Sequence, residues 1–144
     1  MAVRVKLRIR ARSSGRDVET IALVNSGFET TTPQLLIPRR LAEELGIWPN
    51  MAPEARIVTY GTAGGLVRNY FLPRALEVSL VEEDIRTETV VADVVISDIE
   101  EEVLISDKLT GRLGIILEDV AEGIYALKAD PDRRPRHSHP PERW

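Results

Sequence analysis

The sequence predicts an all-β domain with two short helices, and three observations carry this prediction. Apolar and charged residues alternate over residues 3–11, a period of two that is typical of a half-buried strand. Further apolar runs of strand length recur between turn-forming residues. A short helical pattern that ends in Leu-Gly-Ile occurs twice, at residues 45–47 and 113–115. With 144 residues, 43 % of them apolar, the chain is long enough to bury one core.

The N-terminal half predicts two hairpins with a helix between them. A turn signal at residues 13–16 (SSGR) separates the first two strands. Pro38 suits the first turn of a helix over residues 39–45, and Gly46 suits its C-terminal end. A second hairpin turns at a glycine-bearing tip. The strands expected in this half cover residues 3–11, 18–25, 57–60 and 66–80.

The C-terminal half predicts a central strand, a second helix and a closing hairpin. Residues 87–96 are rich in β-branched side chains, which favour strands. Ser106 or Asp107 can cap a helix over residues 108–113, and Gly114 can end it. The remaining strands expected in this half cover residues 103–105, 115–117 and 124–127.

Composition excludes several kinds of site. Cysteine is absent, so disulfides, thiolate metal sites and cysteine nucleophiles are excluded. The two histidines, His137 and His139, both lie near the C-terminus, so we expect neither a Ser-His-Asp triad nor a zinc site. No cofactor is expected. Because no apolar run reaches about 18 residues and no signal peptide precedes the first strand, we expect a cytoplasmic protein without a membrane partner.

The polar face of the first strand is basic and has two interpretations. A basic face can bind a polyanion, which leaves a nucleic-acid-binding β-barrel as an alternative function. It is also typical of an edge strand that charge keeps from pairing with other chains, and we favour this interpretation. Aromatic residues are not interleaved with the basic ones, so nucleic acid is not the expected partner. The basic residues are Arg4, Lys6, Arg8, Arg10 and Arg12.

We divide the chain into a domain over residues 1–128 and a tail over residues 129–144. The tail is rich in proline and arginine and has almost no apolar residues, so disorder is expected for it when it is alone. Within the domain, an apolar strand, a polar residue and a short helix that ends in Leu-Gly-Ile occur twice, over 22–47 and 103–115. This repetition suggests a pseudo-twofold lobe.

Three motifs, taken in order, resemble the single-lobe retropepsin-like aspartic peptidases of the retroviral type. The segment ALVNSG at 22–27 is similar to their catalytic loop, and YGTAGG at 60–65 to their glycine-rich flap. The segment VLISDKL at 103–109 is similar to the stretch that leads into their C-terminal helix. The resemblance covers roughly residues 3–127. It implies a closed acid-protease barrel.

The resemblance also implies a homodimer that hydrolyses peptide bonds in peptide or protein substrates. Each protomer of such an enzyme supplies one aspartate to a shared acid dyad, and the dyad activates a water molecule. Asn25 stands at the position of this aspartate, followed by Ser26, which would hydrogen-bond across the dimer, and Gly27, where substrate backbone would approach closely. The substrate-binding residues that the resemblance implies are Glu29, Gly61, Thr62, Ala63, Gly64 and Gly65, with Ala63 at the tip of the flap.

Three positions depart from the family pattern. A carboxamide at Asn25 cannot act as the general base, so the chain is expected to be an inactive or severely impaired endopeptidase. Ser106 replaces a usual glycine. Asp107 replaces an arginine that often pairs with the acidic residue near the catalytic loop, so Lys108 or Arg112 must pair with Glu29, or the pairing is absent.

Three explanations of Asn25 remain open. An aspartate was changed deliberately to prevent self-digestion, or the chain is a natural pseudo-peptidase that acts as a peptide-binding module, or slow deamidation beside Ser26 restores the acid. The first two leave a carboxamide at position 25 and differ in its origin, whereas the third restores a carboxylate.

Overall fold

The computed structural model describes residues 2–144, except for the side chain of Thr62. The strands are β1 (Arg4–Ala11), β2 (Asp17–Val24), β3 (Gln34–Pro38), β4 (Arg56–Thr62), β5 (Gly65–Leu80), β6 (Val90–Ser97), β7 (Val103–Ile105), β8 (Ile115–Asp119), β9 (Ile124–Leu127) and β10 (Arg136–His137). The helices are α1 (Arg39–Glu44) and α2 (Asp107–Arg112). Within the described residues, neither helix is long and apolar enough to span a membrane.

Six of the strands close into a barrel, which confirms the all-β prediction. The order around the barrel is β1-β2-β7-β3-β6-β5, and β5 pairs again with β1 to close it. Strand β4 lies outside the ring, paired only with β5, so the two form a projecting hairpin. A second sheet, β10-β9-β8, holds the C-terminal part of the chain.

Strand β1 alternates as predicted but is not an edge strand. Its apolar side chains, among them Val5, Leu7 and Ile9, are fully buried in the core. It pairs with β2 on one side and β5 on the other, so the prediction of an edge strand was wrong. Its second partner is far away in the sequence, and no local pattern in β1 points to it. Neighbouring acids offset its outward charges, as in the 2.6 Å pair between Arg8 and Glu19.

The barrel has an internal pseudo-twofold symmetry. Strands β7 and β3 run antiparallel at its centre, with Leu36 opposite Leu104. Strand β2 lies parallel to β7, and β6 lies parallel to β3. The last pair of one half is Val24 with Ile105, and the equivalent pair of the other half is Ile96 with Ile37. The sequence repetition agrees with this symmetry only at the helices, because it matched β2 with β7, whereas the symmetry relates β2 to β6 and β7 to β3.

Each half ends in a short helix that stops in the same way. After α1, Gly46 adopts a φ of 75°, and after α2, Gly114 adopts a φ of 73°. Glycine tolerates this left-handed conformation because it has no Cβ atom. Both helix ends therefore follow the glycine signals that the sequence gives. The two helices match the predicted segments to within a residue at each end.

The tail is folded against the barrel, so the prediction of disorder was wrong. Arg136 on β10 forms ion pairs with Asp84 (2.7 Å) and Asp130 (3.0 Å). Burial raises the pKa of Asp130, but hydrogen bonds from Arg136 and from backbone N–H groups outweigh it and leave this pKa well below its usual range. The Glu142 carboxylate accepts the Ile21 N–H of β2 at 2.9 Å. Composition misses these contacts because the tail is held mainly by polar groups rather than by a core of its own.

Candidate functional site

Asn25 follows the last residue of β2 and starts a tight turn. Its N–H donates to the Ile105 carbonyl of β7 (3.1 Å), and its own carbonyl accepts the Phe28 N–H (3.0 Å). The side-chain Oδ1 accepts the Gly27 N–H at 3.2 Å. Hydrogen bonds of this kind, from an Asn oxygen to the backbone two residues on, are typical of Asx turns. The turn therefore fixes the Asn25 carboxamide through its oxygen.

The first residues of α2 are hydrogen-bonded to this turn and to β3. Ser106 is fully buried, and its Oγ accepts the N–H groups of Gln34 (3.0 Å) and Leu109 (3.2 Å). The Asp107 N–H donates to the Phe28 carbonyl at 2.9 Å. Ser106, a departure from the usual glycine, thus both caps α2 and ties it to β3.

The Asp107 carboxylate is used by the loop rather than by Glu29. Its Oδ1 accepts the Thr30 N–H at 3.0 Å and the Lys108 N–H at 2.7 Å. The hydrogen bond from Thr30 is the main reason why the pKa of Asp107 lies below its ordinary value. Among the described residues, neither Lys108 nor Arg112 forms an ion pair with Glu29, so the compensating pair considered from the sequence is absent.

A cavity of about 280 Å³ lies between the Asn25 turn and the β4–β5 hairpin. The barrel contributes the half-buried Leu36 and Leu104, and the hairpin contributes Tyr60, Val67 and others. The ring of Phe28 meets that of Tyr60 edge-on, with centroids 6.5 Å apart, so the turn and the hairpin touch. The full lining is Asn25, Gly27, Phe28, Leu36, Tyr60, Gly61, Val67, Asn69, Ser97, Ile99, Glu100 and Leu104.

The structure brings together only part of the predicted site. Asn25, Gly27 and Gly61 line the cavity, whereas Ser26 and Glu29 are exposed and lie outside its lining. Thr62 pairs with Gly65 across the hairpin, so Ala63 and Gly64 form a two-residue tip as expected. These tip residues do not line the cavity either, and the predicted contact through the Thr62 side chain lies outside the described residues.

Two polar residues of the cavity were missed from the sequence. Ser97 ends β6, and its Oγ accepts the N–H groups of Ile99 (3.2 Å) and Glu100 (3.1 Å). It is the pseudo-twofold equivalent of Asn25, which accepts the N–H two residues on in the same way. The two Leu-Gly-Ile segments mark equivalent helix ends, so a comparison of the strands that precede them could have identified Ser97 from the sequence.

Asn69 on β5 is the second missed residue. Only 4 % of it is exposed, and its Oδ1 is buried without a hydrogen-bond partner among the described residues. The sequence marks it only as an amide within the predicted strand over residues 66–80, most of whose other residues are apolar. Which side of the hairpin it faces depends on the strand pairing, which places it opposite Val58.

Apolar side chains also lie exposed around the cavity. Leu66 on the hairpin is 81 % exposed, and Ile99, which lines the cavity, is 65 % exposed. Single exposed apolar residues are ordinary, but these two belong to the two segments that border one cavity.

The arrangement offers apolar contacts and a few groups that can form hydrogen bonds. Within the described residues, no three side chains of His, Cys, Asp or Glu are grouped so that they could hold a metal ion. The cavity combines apolar walls with the amides of Asn25 and Asn69 and the hydroxyl of Ser97, and its one carboxylate, Glu100, is exposed to solvent. Neither a family model nor a curated protein matches this chain.

Proposed function

We propose that this chain is a retropepsin-like protein that binds an extended peptide beneath the β4–β5 hairpin and does not cleave it. The observation that carries the proposal is the Asn25 turn. Its side-chain oxygen is fixed by the Gly27 N–H, and it borders a cavity under a glycine-bearing hairpin. The motifs at 22–27, 60–65 and 103–109 together imply three structural features. These are a closed barrel, a turn at the end of a strand and a hairpin that covers it.

The absence of cleavage follows from the group at position 25. In an acid dyad one carboxylate takes a proton from water and the other donates a proton to the peptide carbonyl. A carboxamide stays neutral and neither takes up nor gives up a proton at ordinary pH, so a pair of them can do neither. The swap preserves shape, since an amide oxygen accepts the Gly27 N–H as a carboxylate oxygen would.

The proposed working unit is a homodimer in which the two Asn25 turns face each other. Ser26 and Gly27 are exposed in the single chain, as are Leu66 and Ile99 nearby, and a second copy would cover them. Strand β1 is paired on both sides in the barrel wall and the tail packs on β2, so both segments already have partners within one chain. We therefore place the contact between copies at the turns and hairpins.

The alternative of a nucleic-acid-binding barrel has less support. The basic face of β1 is partly neutralised by acids of neighbouring segments, among them Glu19 and Glu102. A surface that binds nucleic acid needs cations that are free to neutralise phosphates and so displace the counterions condensed on them.

The proposal is tested by titrating the full chain with a non-hydrolysable peptide that carries a statine-type group. We expect saturable binding with one peptide for two chains, and a dimer by sedimentation. Val67→Arg, which fills the cavity from the hairpin, should abolish binding. Val120→Arg is the matched control, because Val120 is exposed and lies outside the cavity lining, so binding should persist. A folded native chain that binds no peptide would contradict the proposal.

A further inference from the structure

We propose that Glu100 makes the cavity under the β4–β5 hairpin select peptides that carry a cationic side chain close to the apolar side chain that fills the cavity. This inference rests on the proposed function, because it names the class of peptide that the same cavity accepts. It depends on one exposed carboxylate at the cavity and on the charges around that carboxylate.

The first observation concerns the acids of residues 98–102, the segment between β6 and β7. Arginine side chains pair with three of its four acids: Asp98 with Arg39 (3.4 Å), Glu101 with Arg143 (3.6 Å) and Glu102 with Arg4 (2.7 Å). Glu100 is the fourth, and no cation of the described residues pairs with it. Its negative charge is therefore available to a ligand.

The second observation concerns the position of Glu100. It is one of the residues that line the cavity, and it is exposed to solvent, so a ligand can reach it from outside. Its backbone is held in place, since its N–H donates to the Ser97 Oγ at 3.1 Å. The carboxylate is therefore attached at a fixed point beside the cavity, and the long side chain of a lysine or arginine can meet it without entering the protein interior.

The third observation is that Glu100 is the one charged residue in the cavity lining, whose other members are apolar, aromatic or neutral polar residues. A cation on the ligand is attracted to this carboxylate, and an anion is repelled by it. Because the pair forms in contact with solvent, it avoids the large desolvation cost of a buried ion pair.

The geometry of an extended peptide sets where the cation must stand. Side chains two residues apart in an extended chain point to the same side and lie about 7 Å from each other. A peptide whose apolar side chain enters the cavity therefore presents the side chain two residues away to the same face of the protein. We place the cation at that position.

The experiment uses three non-hydrolysable statine-type peptides with a leucine for the cavity. They differ only at the position two residues from this leucine, which is lysine, glutamine or glutamate. For the native chain at low salt we expect the order lysine, glutamine, glutamate, with about 2–5-fold in Kd at each step, the range of an exposed ion pair. The preference should vanish between about 0.01 and 1 M salt, over which the Debye length falls from about 30 to about 3 Å.

Glu100→Lys should reverse the order, so that the glutamate peptide binds most tightly. Glu118→Lys is the matched control, because Glu118 is also exposed, has no ion pair among the described residues and lies outside the cavity lining. It makes the same change in net charge, so an unchanged order separates Glu100 from the overall charge of the protein. Thermal melts establish that each variant is folded, and the native-chain series decides the matter even if Glu100→Lys does not fold.

The outcomes separate the two proposals. Equal binding of the three peptides by the native chain, a preference that persists at high salt, or a reversal by Glu118→Lys overturns the role of Glu100 and leaves the proposed function intact. Binding of none of the peptides overturns both proposals.

Discussion

The two halves of the barrel have one backbone plan and different side chains at its key points. In each half a residue at or directly after the end of a strand has a side chain that accepts the N–H two residues on: Asn25 after β2 and Ser97 at the end of β6. Both residues line the same cavity. Yet the first turn continues with Ser26 and the open Gly27, whereas the second continues with Asp98 and Ile99.

The helices of the two halves differ in how their N-termini are capped. Helix α2 is capped by the side chain of Ser106, whereas α1 begins after Pro38 without a side-chain cap. Helix α2 is therefore the better anchored of the two. Its N-terminus also supports the Asn25 turn, because the Asp107 N–H donates to the Phe28 carbonyl. Strand register and helix ends therefore set the shared backbone arrangement of the two halves. The chemistry of each half depends on Asn25 after β2 and on Ser97 at the end of β6.

The largest expected difference in stability between the halves is at the start of their helices. Ser106→Ala leaves the buried N–H groups of Gln34 and Leu109 without an acceptor, so it should lower the free energy of unfolding by about 2–3 kcal/mol. Pro38→Ala removes no hydrogen bond and should cost less than about 1 kcal/mol. Urea denaturation of both variants measures the difference.

Ser13→Ala is the control for the loss of a hydroxyl, because Ser13 is exposed and should change the stability by less than about 0.5 kcal/mol. Equal losses for Ser106→Ala and Pro38→Ala would mean that the cap does not distinguish the two halves.

A smaller effect is expected at the ends of the two helices. Alanine at Gly46 or Gly114 must adopt a left-handed backbone, which should cost about 1–2 kcal/mol at each site. Gly46→Ala should cost more, because its Cβ would lie 3.2 Å from the Ser14 Cβ, against 3.4 Å from the Lys128 Cβ at Gly114. Thermal unfolding of the two variants tests this order.

Gly111→Ala is the matched control within α2. No atom lies within 4 Å of the added Cβ, and its backbone is helical, so it should stabilise the protein by about 0.5–1 kcal/mol. A larger loss at Gly114 than at Gly46 would contradict the comparison of their surroundings.

Local patterns predicted most of the frame. The alternation in β1, the glycines at 46 and 114 and the turn at 13–16 are short-range signals, and the elements follow them. Strands β3 and β10 were not predicted, and two predictions that were wrong involve long-range contacts. Strand β1 gains a second partner in β5, and the tail is held by Arg136 reaching back to Asp84.

The part of the site that lies in a single segment of the sequence, residues 22–27, could be predicted. The Asn25 turn is encoded by adjacent residues and was found from them. Ser97 and Asn69 join the cavity through the pseudo-twofold symmetry and the pairing of β4 with β5, neither of which a linear pattern fixes. Of the two outcomes left open for Glu29, a pair with Lys108 or Arg112 or no pair, the described residues show no pair, and Asp107 instead accepts the Thr30 N–H.

The most direct test of the central claim compares peptide hydrolysis by Asn25→Asp and Ser97→Asp, which put a carboxylate at the equivalent strand end of each half. We expect Asn25→Asp to gain acid-optimum cleavage at least about 10²-fold above the native chain, blocked by a statine-type peptide, because general acid–base catalysis contributes at least that much. Ser97→Asp should gain none. A folded Asn25→Asp protein that binds peptide without cleaving it, or equal cleavage by both variants, would contradict the account.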